Sequence, residues 1–99
     1  MHGARVRVVL HSQIHEWRER QEDGRVRIVK AAWDTRKWNF SDTYKDLPDW
    51  SDIESPTIED YEALRDVLFR KHQRNRVPLR FLEHVDAVLA TMRGQQEKE

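Results

Sequence analysis

The hydrophobic period of this chain changes once, near "ESPTIEDY" at 54–61. Before that point apolar and polar residues tend to alternate. After it, apolar residues recur every third or fourth position. A period of two buries one side of a strand, and a period near 3.6 buries one side of a helix. Strands followed by helices make an α+β chain. We therefore expect a small antiparallel β-meander in the N-terminal half, packed against a C-terminal two-helix hairpin.

The strands come from three stretches. "RVRVVL" at 5–10 alternates and is rich in valine, which suits a pleated surface. In "GRVRIVKAAW" at 24–33, Val26, Ile28 and Ala32 share one face, and Arg25, Arg27, Val29 and Trp33 the other. The stretch between them has two readings. As a helix it offers Ser12 as a cap, Ile14 and Trp17 three apart, and Gly24 as a stop. As a strand it runs into Asp23-Gly24, a strong hairpin signal ahead of "RVRIV". The next segment favours the strand. Trp33 and Trp38 bracket "DTRK", which reads as a four-residue turn, and two facing tryptophans make a strong cross-strand pair. The meander then covers 4–42.

Residues 43–55 read as an acidic loop with Pro48 inside it and no sustained period. A helix follows. Either Ser55 caps it with Pro56 at the first helical position, or Thr57 caps it with Asp60 three residues on. Ile58, Tyr61, Leu64, Val67 and Leu68 form its apolar stripe. Acidic residues fill its first turns and basic ones its last, as the helix dipole favours. Pro78 breaks it and opens a second helix, with Leu79, Leu82, Val85, Val88 or Leu89, and Met92 on one face. Gly94 is the expected stop, giving a hairpin over 56–93, one domain over 1–94, and a disordered tail at 95–99.

Composition limits the chemistry. The 99 residues include 23 Leu, Ile, Val and Phe and carry no net charge, which suits a folded chain with a thin core. There is no cysteine, so disulfides and thiolate metal sites are excluded. No apolar run reaches the roughly 18 residues of a membrane span, and no apolar signal segment opens the chain. We expect a cytoplasmic protein with no membrane association.

"HSQIHEW" at 11–17 invites a metal reading, because His11 and His15 are four apart. The zinc-hydrolase helix places Glu directly after the first histidine, and Ser12 stands there instead. On a strand, positions four apart lie about 13 Å from each other, too far for one ion. Asp46, Asp49, Asp52 and Glu54 lack both the alternate-residue spacing and the glycine of a calcium loop. Three glycines in all leave no phosphate-cradling loop and no nucleophile elbow. We expect no metal, no cofactor and no enzymatic activity.

What is left points to contact with another macromolecule. The neutral total hides blocks of +4 over 1–40, −7 over 41–66 and +3 over 67–99. "RKHQRNRVPLR" at 70–80 gathers five Lys/Arg and no acid around one turn. Helix capping accounts for positive charge only up to the helix end, so Arg76 and Arg80 lie beyond its reach, next to Arg74. Trp33, Trp38 and Trp50 supply the aromatic surface usual in interface cores. The expectation is an adaptor or regulatory module that binds another protein, or a second copy of itself, through these six residues. The alternative is a nucleic-acid binder using the basic turn. Glu83 and Asp86 on the second helix count against a duplex.

Overall fold

The structure, a computed structural model, describes residues 13–47 and 49–97. The expected strand at 5–10, together with His11 and Ser12, lies outside the described residues. The chain forms an α+β fold whose elements group into two compact units, divided between Ser55 and Pro56.

The first unit is a four-stranded antiparallel sheet in the order β1-β2-β3-β4: Ile14–Arg20, Val26–Trp33, Trp38–Tyr44 and Ser51–Ile53. Residues 14–20 are therefore strand, and the helical reading of that stretch is set aside. The turn after β1 is closed by the Gln21 N–H to the Arg25 carbonyl at 2.8 Å and the Gly24 N–H to the Gln21 carbonyl at 3.0 Å. Gly24 has φ +88°, a left-handed conformation that a Cβ would strain. Asp23 Oδ1 accepts from the Arg25 N–H, fixing the exit of the turn.

The register places Glu19 opposite Arg27, Trp17 opposite Val29, and Trp33 opposite Trp38. Paired residues share a face. One face thus carries His15, Trp17 and Glu19 from β1, Arg27, Val29, Ala31 and Trp33 from β2, and Trp38, Phe40, Asp42 and Tyr44 from β3. Val29, Ala31, Trp38, Phe40 and His15 on that face are buried. The Trp33 and Trp38 rings meet at 5.2 Å, His15 tilts against Trp38 at 5.7 Å, and Trp17 meets Phe40 edge-on at 6.3 Å. At the far end of the face Arg27 bridges Glu19 at 3.0 Å and Asp42 at 2.9 Å, while the Trp17 indole N–H donates to Glu19. These half-buried charges are matched by position, since an unpaired one there would be costly.

The segment expected as loop at 43–55 is more ordered than its sequence suggests. β3 runs to Tyr44, and β4 adds Phe40↔Ile53, Ser41↔Asp52 and Asp42↔Ser51 to the ladder. Three residues are too few to show a period, so local pattern could not reveal β4. Its pairing comes from the open ladder groups of β3 and from Thr43. The buried Thr43 hydroxyl donates to the Asp49 carbonyl at 2.8 Å and folds the intervening residues back onto the sheet.

The second unit is a hairpin of two helices, α1 (Ile58–Gln73) and α2 (Leu79–Glu97). Of the two capping options, Thr57 is used. Its hydroxyl accepts from the Asp60 N–H at 3.1 Å, and Asp60 Oδ2 accepts from the Thr57 N–H at 3.0 Å, a reciprocal capping box. Leu64, Val67 and Leu68 on α1 and Phe81, Leu82, Val85 and Leu89 on α2 are buried. The helices are tied on one flank by Arg65 to Asp86 and Arg93 to Glu62.

Three details of the helical reading change. Leu79, expected on the apolar face of α2, is 52% exposed, and Phe81 is buried in its place. The face toward the partner helix is set by where α1 lies, and that centres on Val85 rather than on the first residue of the helix. Gly94 does not stop α2, which continues to Glu97, so residues 95–97 are helix rather than disordered tail. Glycine costs about 1 kcal/mol against alanine in a helix, and the good helix formers Gln95, Gln96 and Glu97 follow it.

Candidate functional site

The turn between the helices is built from backbone bonds outward. Asn75 takes φ 61°, which asparagine tolerates better than most residues. The Arg76 N–H then reaches back to the Lys71 carbonyl at 2.9 Å and the Asn75 N–H to the His72 carbonyl at 2.9 Å, satisfying two carbonyls of the helix end. His72 Nδ1–H donates to the Val77 carbonyl at 2.8 Å, which pins the far side of the turn and requires the proton on Nδ1. Val77 is buried, and Pro78 sets the entry into α2.

On this fixed frame Arg74, Arg76 and Arg80 are all exposed. None has an ion pair among the described residues, whereas Arg70 is paired with Asp66 one turn back. Arg80 lies 5.0 Å from the centre of the Phe81 ring. Lys71 is partly withdrawn from water, and that burial, with Arg76 nearby, lowers its pKa below the ordinary lysine value.

Two apolar side chains accompany the arginines. Phe69, 41% exposed, follows Arg65 by four residues, and Leu79 precedes Asp86 by seven. Both therefore continue the flank marked by the Arg65–Asp86 bridge, up to the basic turn. Sequence reading did not single out Phe69. The available signal was an aromatic residue lying off the stripe of Tyr61, Leu64 and Leu68.

The tryptophans divide differently. Trp33 and Trp38 are brought together as the cross-strand pair, where Trp38 is buried and Trp33 half-buried. Their contribution is to the packing of the sheet. Trp50 is 41% exposed, with Lys30 Nζ 4.6 Å from its ring centre. Trp33, Trp38 and Trp50 belong to the sheet unit and Arg74, Arg76 and Arg80 to the hairpin.

Among the described residues no three His, Asp or Glu side chains converge as metal ligands, and no helix is long and apolar enough to cross a membrane. Comparison with protein families, with curated proteins and with solved structures finds no match to this chain.

Proposed function

We propose that this chain is a small non-enzymatic interaction module, an adaptor or regulatory subunit, whose helical hairpin receives an acidic segment of another protein. The observation that carries the reading is the set of three unpaired arginines held on a rigid turn next to exposed Phe69 and Leu79. A preformed turn loses little entropy on docking. Arginine and aromatic side chains supply most of the energy in protein interfaces, and here both occur together. A nucleic-acid partner is the alternative. It finds less support, because α2 presents Glu83 and Asp86 to solvent near the same arginines.

Two probes separate the readings: an acidic peptide carrying one leucine or phenylalanine, and a single-stranded oligonucleotide of equal charge. The peptide should bind saturably and lose affinity with Phe69→Ala, while oligonucleotide retention fades at physiological salt. Changing Arg74, Arg76 and Arg80 together to glutamine should weaken peptide binding and its salt dependence. The melting temperature should stay nearly constant, because exposed charges contribute about 0–1 kcal/mol each. If the oligonucleotide binds more tightly than the peptide and ignores Phe69→Ala, the module reading is wrong.

A further inference from the structure

The sheet unit carries an acidic segment of the kind the basic turn is suited to receive. Residues 49–54, "DWSDIE", hold Asp49, Asp52 and Glu54 and no base. All three are exposed, and none forms an ion pair among the described residues. Trp50 lies among them, 41% exposed. Asp52 is opposite Ser41, and Ser41 is opposite Lys30, so Asp52 and Lys30 share a face of the sheet. The Trp50 ring lies on that face too, with Lys30 Nζ 4.6 Å from its centre. The Thr43 hydroxyl donates to the Asp49 carbonyl at 2.8 Å, which fixes the start of the segment. Lys30 has Glu16 as its other cross-strand neighbour. The row Glu16, Lys30, Ser41 and Asp52 across the sheet therefore stays net negative.

The hairpin carries the complement. Arg74, Arg76 and Arg80 are exposed, without an ion pair among the described residues, and accompany exposed Phe69 and Leu79. Three cations with two apolar side chains thus answer three carboxylates with a tryptophan. Connectivity works against pairing the two sets within one chain. Glu54 leads through Ser55, Pro56 and Thr57 into the first turn of α1. That connection spans at most about 14 Å when fully extended. The arginines begin past the far end of α1, which is 16 residues long, or about 24 Å. A second copy of the chain meets no such limit.

We propose that two copies of this chain pair reciprocally, each laying Asp49, Trp50, Asp52 and Glu54 against the basic turn of the other. The pairing rests on the reading that the hairpin receives an acidic segment, and it makes a second copy one source of that segment. Two identical contacts related by a twofold axis close the assembly at a dimer. Exposed ion pairs alone contribute little, so Trp50, Phe69 and Leu79 supply the apolar area of the contact. An acidic segment of another protein then competes with the second copy for the same turn, which makes self-pairing a control on partner binding.

Sedimentation equilibrium of the full chain, over about 5–500 µM, tests this. The wild-type chain should dimerise at low salt and dissociate as salt rises. Two charge-reversed variants decide the matter: Arg74→Glu with Arg76→Glu and Arg80→Glu, and Asp49→Lys with Asp52→Lys and Glu54→Lys. Each alone should self-associate at least about tenfold more weakly than wild type, and an equal mixture should restore the dimer to within about threefold. In that mixture both contacts again join opposite charges. Where a reversed set fails to fold, the corresponding glutamine or asparagine set replaces it and should still weaken the dimer at least about threefold. A monomer at every concentration, a dimer that persists in both variants, or a mixture of folded reversed variants that stays monomeric would overturn the pairing. The acidic peptide probe separates this pairing from the reading it rests on. Peptide binding to a chain that stays monomeric overturns the pairing alone, and absence of both peptide binding and dimer overturns both. A dimer that the peptide dissociates supports both.

Discussion

Gly24 and Gly94 show what backbone freedom is worth at different places in the same chain. Gly24 sits at φ +88° in the turn, with nothing within 4 Å of where a Cβ would be. Replacement by alanine there meets no steric neighbour but does meet the left-handed backbone, and should destabilise by about 1–2 kcal/mol. Gly94 lies within α2, also with nothing within 4 Å of a Cβ, and without a positive φ. Gly94→Ala should stabilise by about 0.5–1 kcal/mol. Urea midpoints should move in opposite directions for the two variants at unchanged slope. Asp34 is a second residue-scale case. Its carboxylate accepts from the Arg36 and Lys37 N–H groups and from Asn39 Nδ2, and these bonds, Asn39 first, lower its pKa from 3.8 to about 2. A depressed acid stabilises the fold above its unfolded value and loses that contribution as pH falls through its folded value. The wild-type chain should therefore lose this contribution between about pH 4 and pH 2, and Asp34→Asn should flatten that part of the stability profile. A carboxyl carbon titration placing Asp34 at an ordinary aspartate value would remove the argument.

At the scale of the element, termini and turns do most of the specifying. Thr57→Ala removes one half of the capping box and should cost about 1 kcal/mol, read as loss of helical signal at lower urea concentration. Thr57→Ser should restore most of it, since the hydroxyl alone makes the bond. The same chemistry was legible in "SPTIED", although the sequence left Ser55 and Thr57 as competing caps. Only the backbone decides between them, because a cap must have extended dihedrals, and Thr57 has φ −84° and ψ 170°. The β2–β3 hairpin was legible for a related reason. Trp33, Trp38 and the four residues between them lie within reach of one another along the chain, so their pairing is a local event. β4 was not legible, because its three residues show no period of their own and its partners on β3, Asp42, Ser41 and Phe40, lie across an intervening loop.

For the molecule as a whole, the four tryptophans, Trp17, Trp33, Trp38 and Trp50, all precede the division at Ser55. Tryptophan fluorescence therefore reports the sheet, and the helical signal at 222 nm reports mainly the hairpin. Leu64 is fully buried, and Leu64→Ala should cost about 2–5 kcal/mol through lost transfer energy and the cavity left behind. That loss should be read in the helical signal. A shift below about 1 kcal/mol would mean that the hairpin closes around the missing side chain. Charge is also arranged at this scale. Arg27 is matched to Glu19 and Asp42 inside the sheet, and Arg65 and Arg93 are matched across the helices. The cations without ion pairs include Arg74, Arg76 and Arg80 at one turn and Arg20, Arg25 and Lys45 at another.

Sequence alone favoured strand for β1 but left a helix open there, and it did not show β4. It determined the type of β2, β3 and both helices, the turn at Asp23-Gly24, the Trp33–Trp38 bracket and the order of strands before helices. Each of these rests on interactions a few residues long: alternation against a 3.6 period, a glycine at positive φ, a hydroxyl reaching the third N–H. The tertiary structure decided what depends on neighbours distant along the chain. It buried Phe81 and exposed Leu79, carried α2 past Gly94, paired β4 with β3, and set Arg27 between two carboxylates. It also separated paired cations from unpaired ones, which composition cannot do. Whether an arginine stabilises the fold or stands available to a ligand depends on which carboxylate comes within about 4 Å of it, and that is settled only when the chain has folded.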